Sequence, residues 1–245
     1  MFELIELLCD DLSPELISMW LARRGSKLSF QTIYFHIHLD RERGGKLWQL
    51  LRHHGKRERF HPFRKAQRGR RASARPQRQG REIGRCLPSV ANRRFYGDWE
   101  MDLMEGRGRK GPMLVLHERK TRFVAAAFLP DSRSHQVVRR LPKLLAGVRV
   151  RTITTDNGSE FAYADSSERA TGCKLFFAEP YKPEQKGAVE NTNGLLRQHF
   201  PKGTDFSSYT SAGLAFALER HNSRPRKCLG GKSPDELIER LSLSR

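Results

Sequence analysis

The sequence contains no run of apolar residues long enough to cross a membrane. A membrane-spanning helix needs about 20 consecutive apolar residues, and no stretch of the 245 residues comes near that length. Glu3 and Glu6 interrupt the first residues, so the start of the chain lacks the apolar core of a secretion signal. We therefore expect a cytoplasmic protein without a membrane partner.

Acidic residues are few. The chain has 27 Asp and Glu against 46 Lys and Arg, a net charge of +19 at pH 7. This excess implies a polyanionic partner, with nucleic acid ahead of an anionic membrane. Residues 52–94 hold 15 of the basic residues, among them Arg70 and Arg71, against two acids. The segment predicts a flexible basic arm that follows phosphate groups, and a solubilising linker is the alternative.

Cysteine pairs are missing as well. The four cysteines are far apart and form no Cys-x-x-Cys motif, so we expect reduced thiols and no structural zinc. Five histidines between positions 36 and 61 raise the alternative of a His/Cys zinc module. Without a cysteine pair beside them, solvated or DNA-facing histidines are the better interpretation.

Two short helices are predicted ahead of the arm. Ser13-Pro14-Glu15 combines a hydroxyl cap, a first-position proline and an early acid, and Ser29 can cap a second helix. The second helix has apolar residues at helical spacing: Phe30, Ile33, Tyr34 and Ile37. Two helices joined across Gly25 are typical of a helix-turn-helix, whose second helix enters the major groove of DNA. An ordinary helical hairpin fits the pattern equally well.

After the arm, strands and helices alternate. Met113–Leu116 and Phe123–Leu129 predict a hairpin, and a strand ending at Asp156 and another at 174–178 follow, each after a helical stretch. This order predicts an α/β fold with a mixed sheet. The predicted domains are a helical DNA-binding segment at 1–51, the basic arm at 52–94 and the α/β domain at 95–245.

Carboxylates occur where this domain could bring them together. Asp156 ends a β-branched strand and precedes an Asn-Gly turn. Asp98, Glu100 and Asp102 alternate along one strand and share a face, and we expect one of them to meet Asp156. Glu190 begins a helix after a Pro/Gly-bearing loop. Clustered carboxylates bind Mg²⁺, and two such ions can act together on a phosphodiester.

The Glu190 helix is predicted to have a buried stripe and an exposed edge. The stripe consists of Val189, Thr192, Leu196 and Phe200. Arg197 follows Glu190 by about two turns, so a carboxylate and a cation share the edge. Gly194 costs about 1 kcal/mol relative to Ala and leaves a bare surface for a ligand. A solvated amphipathic helix is the alternative.

Three segments resemble the catalytic signatures of DDE transposases of the insertion-sequence 30 family: Trp99-Glu-Met-Asp102, Thr155-Asp156-Asn-Gly-Ser-Glu-Phe161 and Glu190-Asn-Thr-Asn-Gly-Leu-Leu-Arg197. They occur in the family's order, with 54 positions from Asp102 to Asp156 and 34 from Asp156 to Glu190. The resemblance starts at about Leu12, and it implies that the family's first N-terminal helical module is not part of this chain. Met101 departs from the family, which usually has Gly there.

The resemblance implies a ribonuclease H-like core with a five-stranded mixed sheet, preceded by a small helix-turn-helix segment. It assigns catalysis and the binding of two Mg²⁺ ions, for which Mn²⁺ is an expected substitute, to Asp102, Asp156 and Glu190. Asp98 and Glu100 remain rivals for the first of these positions. The implied partners are double-stranded DNA, as transposon inverted repeats and as target DNA, and further copies of the chain in a homo-oligomeric synaptic complex in the bacterial nucleoid.

We also expect DNA contacts near the carboxylates, and for Arg197 the family has a Lys or Arg at the matching position. The residues concerned are Lys182, Lys186, Asn191, Asn193 and Arg197. For the two lysines, solvated loop charges are an equal alternative. The implied activity is DNA cleavage and strand transfer in transposition. Two other functions remain open: a truncated, inactive DNA-binding regulator of related elements, and a nuclease that cuts DNA without joining it.

Overall fold

The computed structural model describes residues 2–51, 81, 90, 92–179 and 183–243. The chain divides into two compact units, one of residues 1–70 with 224–233 and one of residues 71–223 with 234–245. The predicted DNA contacts at Arg70, Arg71 and Lys182 lie outside the described residues, as does most of the predicted arm. In the part of the chain that is described, no helix has the length and apolar character needed to span a membrane.

The first unit is helical. It contains α1 (Phe2–Cys9), α2 (Pro14–Arg23), α3 (Phe30–Glu42) and a 3₁₀ helix (Leu47–Leu50). The side chain of Ser13 accepts a hydrogen bond from the Leu16 amide at 3.4 Å, and Ser29 accepts one from the Thr32 amide at 3.1 Å. Both predicted helix starts are therefore confirmed, whereas α1 was not predicted.

The core of this unit corrects the predicted apolar face of α3. Ile33 and Ile37 are buried against α1 and α2, but Phe30 and Tyr34 are 39% and 40% exposed. The helix predicted from this spacing is present, but only two of the four spaced residues are buried, and α3 presents aromatic side chains to solvent. The loop 224–233 belongs to the same unit, where the Gly231 carbonyl accepts a 2.6 Å hydrogen bond from Arg23 Nη1.

The second unit is built on one sheet. Its strands are β1 (Asp98–Met104), β2 (Met113–Glu118), β3 (Val124–Phe128), β4 (Thr152–Thr155) and β5 (Lys174–Phe177), in the spatial order β3-β2-β1-β4-β5. The first three strands pair antiparallel, and β4 and β5 continue the sheet parallel to β1. This mixed topology is that of the ribonuclease H-like fold and confirms the predicted fold class.

Helices cover both faces of the sheet. The helices of this unit are α4 (Ser134–Leu144), α5 (Ala164–Thr171), α6 (Gly187–Leu196), α7 (Ser211–Ser223) and α8 (Pro234–Leu243). Trp99 and Met101 pack with the residues of α4 and α5, and the other face of the sheet packs with α6 and α7. The predicted stripe of the Glu190 helix is buried throughout, with Val189, Thr192, Leu196 and Phe200 each no more than 1% exposed.

The turn between β2 and β3 is closed by a buried carboxylate. Glu118 is fully buried and accepts hydrogen bonds from the amides of Gly97, Lys120 and Thr121 and from the Thr121 hydroxyl, at 2.6 to 2.9 Å. Burial nevertheless raises the pKa of Glu118. The predicted hairpin is confirmed, and its geometry depends on this one side chain.

We expect Glu118→Gln to lower the free energy of unfolding by about 2 to 4 kcal/mol, because an amide offers one acceptor oxygen where four donors converge. Urea unfolding followed by circular dichroism measures the loss. The charge-matched control is Glu239→Gln, at an exposed position of α8, which should change stability by less than about 0.5 kcal/mol. Equal effects of the two substitutions would contradict the role given to Glu118.

The free edge of β3 is held by Asn222 from α7. Its amide oxygen accepts from the Val124 amide at 2.9 Å, and its amide nitrogen donates to the Val124 carbonyl at 2.8 Å. Asn222 is the first residue of the basic Asn-Ser-Arg-Pro-Arg-Lys stretch and still lies within α7. Its side chain extends the hydrogen-bond ladder of the sheet, so the first residue of that stretch is structural.

Candidate functional site

Asp102 and Asp156 lie side by side at one end of the sheet. Strands β1 and β4 are parallel, with Glu100 opposite Thr154. The same register brings Asp102 level with Asp156, which follows β4 directly. The ammonium of Lys186 joins the two carboxylates, with Nζ 2.8 Å from Asp102 Oδ1 and 3.3 Å from Asp156 Oδ2. The two acids therefore share one cation, supplied by the protein itself.

Lys186 is buried at this position. Its side chain is 8% exposed, against 19% for Asp102 and 47% for Asp156. Burial disfavours the charged amine, but attraction and hydrogen bonds from the two aspartates outweigh it and raise the pKa of Lys186. The interpretation of Lys186 as a solvated loop charge is wrong.

Helix α6 contributes the neighbouring side chains. Asn193 Nδ2 donates to Asp102 Oδ2 at 2.6 Å, so the amide and the lysine hold opposite oxygens of one carboxylate. Glu190 lies one turn earlier in α6 and is exposed, as is Asn191. Within the described residues, no three His, Cys, Asp or Glu side chains are grouped as a metal site. The structure thus unites two of the three predicted ligands and leaves Glu190 at the rim.

The turn after β4 fixes Asp156 and adds another acid. The Gly158 amide donates to Asp156 Oδ1 at 2.9 Å, and Asn157 Nδ2 donates to the Ala178 carbonyl at 2.8 Å. Burial, followed by the negative charges of Asp156, Glu105 and Asp102, raises the pKa of Glu160. Glu160 belongs to the recognised Asp-Asn-Gly-Ser-Glu-Phe segment, but sequence reasoning gave it no role.

The two rivals of Asp102 have other partners. Asp98 accepts a hydrogen bond from Thr152 Oγ1 at 2.9 Å and pairs with Arg151. Glu100 pairs with buried Arg119, at 3.3 Å from Nε to Oε1, and accepts from the Val189 amide at 2.8 Å. Of the three acids on this strand, Asp102 is the one that Lys186 connects to Asp156.

Arg197 follows the last residue of α6, and its guanidinium makes hydrogen bonds within the protein. Its Nη2 donates to the Glu105 carbonyl at 3.0 Å, and Nη1 lies 3.4 Å from the Phe200 carbonyl. The guanidinium carbon is 5.3 Å from the ring centre of Phe206. These contacts anchor Arg197 at the end of α6, and phosphate contact by this residue stays a prediction.

Two comparisons decide the family. The chain is 35% identical over 242 residues to the transposase for insertion sequence element IS4351 of Bacteroides fragilis, a match that covers 97% of the chain and 72% of that protein. It is 34% identical over 241 residues to transposase InsI for insertion sequence element IS30A of Escherichia coli, covering 93% and 61%. The chain belongs to the insertion-sequence 30 family of transposases.

The match to other members of this family is partial in length. A transposase for insertion sequence element IS1086 of Cupriavidus metallidurans is 39% identical over 158 residues, which is 46% of that protein. No protein-family model matches the chain. Among solved structures, the catalytic core domain of BIV integrase is 24% identical and covers 60% of the chain and 96% of that domain, with a TM-score of 0.49. The fold assignment for this family member rests on its own strand order.

Proposed function

We propose that the chain is a DDE-type transposase, which cleaves DNA at transposon ends and joins the freed 3′ ends to target DNA with Mg²⁺. The observation that carries the proposal is the placement of Asp102 and Asp156 on one cation at the ends of adjacent parallel strands. Two carboxylates that are close enough to share one ammonium are also close enough to bind one divalent ion placed between them. The relatives reported above are all named as transposases, which supports DNA as the substrate.

Asp102, Asp156 and Glu190 would hold the metal, as two Mg²⁺ ions or as Mn²⁺ in their place. Bound metal would activate a water and stabilise the charge on the phosphate. The chain itself orients the ligands, since Asn193 and the Gly158 amide each fix one oxygen of an aspartate. Glu190 has no such tether among the described contacts, which suits a ligand recruited from the rim when metal and DNA arrive.

Double-stranded DNA would be contacted by both units and by the arm. In the first unit, α3 packs through buried Ile33 and Ile37 and leaves a face with Tyr34 and Phe35 exposed, so that face is open to contact the major groove as the second helix of a helix-turn-helix. The arm, including Arg70 and Arg71, and Lys182 would bind phosphate without sequence preference. Synapsis of two transposon ends would bring two or more copies of the chain together.

The exposed edge of α6 is shaped for close approach of DNA. Glu190, Asn191 and Gly194 are all exposed there, and a methyl group added at Gly194 would meet no described atom within 4 Å. The protein's own packing therefore gives no reason for a glycine in mid-helix. An external partner does give one, because DNA lying on the helix would meet the added side chain.

We expect Gly194→Ala to stabilise the protein by about 1 kcal/mol, through the higher helix propensity of alanine, and to weaken DNA cleavage. Thermal unfolding and a cleavage assay on the same preparation measure the two effects. Gly187→Ala is the control at the first residue of α6, where an added methyl also meets no described atom. A stabilised Gly194→Ala variant with undiminished cleavage would show that DNA does not approach this edge.

The proposed activity is tested with a labelled duplex that carries the inverted repeats flanking this gene. Purified protein, Mg²⁺ and a target duplex should give nicked ends and joined products, and both should disappear with chelator. Nicks without joined products would identify a nuclease that does not transfer strands. DNA that is bound and never cut, in Mg²⁺ or Mn²⁺, would contradict the proposal.

One observation favours a second candidate, a DNA-binding regulator without catalysis. Lys186 occupies the position between Asp102 and Asp156, and Glu190 does not complete a three-acid group in the described structure. A protein fixed in this arrangement would bind transposon ends and block its active relatives. In the duplex assay, it would shift the DNA and compete with an active transposase, with no product of its own.

A further inference from the structure

The residues around Lys186 form a built cation site. Its ammonium contacts both Asp102, at 2.8 Å, and Asp156, at 3.3 Å. Without a cation at the centre, these carboxylates would repel one another in a partly buried setting. Lys186 therefore supplies, in the metal-free protein, the positive charge that the arrangement of acids requires.

The backbone that carries Lys186 is fixed from both sides. The Gln185 carbonyl accepts from Arg119 Nη2 at 2.8 Å, and Gln185 Oε1 accepts from the Glu179 amide at 2.7 Å. On the other side, the Val189 amide donates to Glu100. The loop is thus tied to the sheet, and the four-carbon side chain of Lys186 is the part that can leave the site by rotation about its own bonds.

We propose that Lys186 is an internal stand-in for the metal, which holds Asp102 and Asp156 in place until a divalent ion displaces its ammonium. This inference rests on the proposed function, because it concerns the same two ligands. The metal ion and the ammonium cannot occupy the same position. The free energy of metal binding is therefore reduced by the interaction free energy that the two carboxylates lose when the Lys186 ammonium leaves. The displaced ammonium is then free to meet a DNA phosphate, the role that the sequence suggested for Lys186.

Removal of the ammonium should therefore tighten metal binding. Calorimetric titration with Ca²⁺, and the rise in melting temperature with Ca²⁺ or Mg²⁺, would compare wild type with Lys186→Met. We expect Lys186→Met to bind Ca²⁺ about 10- to 100-fold more tightly than wild type. This factor corresponds to one hydrogen bond to a charged group, which the wild type must break before the metal binds. Lys143→Met, on the exposed face of α4, is the matched control and should bind as wild type does.

The outcomes separate this inference from the proposed function. Metal binding that is lost in Asp156→Asn and not tightened in Lys186→Met would overturn the inference alone. No metal response in wild type or Lys186→Met would overturn the inference together with the proposed metal site. Tighter binding in Lys186→Met, abolished when Asp156→Asn is added, would support both.

A measurement on the wild type covers the case in which Lys186→Met does not fold. Amine acylation followed by mass spectrometry should modify Lys186 slowly without metal, because its side chain is 8% exposed. Saturating Ca²⁺ should raise its modification rate several-fold and leave that of exposed Lys143 unchanged. Equal or slower modification of Lys186 in Ca²⁺ would show that the ammonium stays in place and would overturn the proposal.

Discussion

Asp156→Asn should reduce DNA cleavage by about 10³-fold or more, because a metal ligand contributes several kcal/mol to a transition state of this kind. Folding should survive, because the substituted side chain retains an oxygen for the Gly158 amide and the wild-type side chain is 47% exposed. Single-turnover kinetics measure the cleavage rate, and a gel-shift titration measures the DNA affinity of the same variant.

The control is Glu239→Gln, which also removes one negative charge, at an exposed position of α8. This variant should cleave DNA at the wild-type rate. Asp156→Asn should bind the duplex within about twofold of wild type, because the proposal assigns DNA binding to basic residues and to α3 rather than to this acid. Cleavage by Asp156→Asn at a rate close to wild type would reject Asp156 as a metal ligand. Loss of binding and cleavage together would point to misfolding instead.

Arg119→Met should destabilise the second unit by about 3 to 5 kcal/mol at neutral pH, since it leaves the Glu100 carboxylate buried without its cation. The side chains of Glu100 and Arg119 are 2% and 6% exposed. Arg119 also holds the Gln185 carbonyl, so the loop that carries Lys186 should loosen. Chemical denaturation measures the loss of stability, and Glu100→Gln added to Arg119→Met should recover part of it.

The loss in Arg119→Met should grow with pH. Burial raises the pKa of Glu100 above the ordinary 4.5, although Arg119 and the Val189 amide oppose that rise. A raised folded-state pKa favours the folded protein at low pH, and this advantage is lost as pH rises through the folded value. Without Arg119 the pKa of Glu100 rises further, so the difference from wild type should be small at pH 4 and largest near pH 7. A pH-independent difference would contradict this account.

Local pattern predicted the elements of the second unit well. The stripe through Val189 and Leu196 reports which face of its helix is buried, and the structure follows that pattern. Helix starts at Ser13 and Ser29 were equally predictable, because a cap is a local hydrogen bond. These features depend on residues a few positions apart.

Contacts between distant residues were not predictable in the same way. Nothing in the sequence around Lys186 marks it as buried between acids 84 and 30 positions earlier. Helical spacing alone also does not tell which of Phe30, Ile33, Tyr34 and Ile37 are buried, and α3 packs through the narrower stripe of Ile33 and Ile37. The clamp of Asn222 on β3 carries no periodic signal, since it joins residues 98 positions apart.

The most direct test of the claim that Asp102 and Asp156 bind the metal is to locate Mn²⁺ in a complex of the wild-type protein with a transposon-end duplex. A crystal of this complex, measured by anomalous scattering, should show Mn²⁺ held by Asp102 and Asp156, with Glu190 drawn in from the rim and the Lys186 ammonium moved away. Lys186 still joining the two aspartates, with no Mn²⁺ beside them in the presence of bound DNA, would contradict the account.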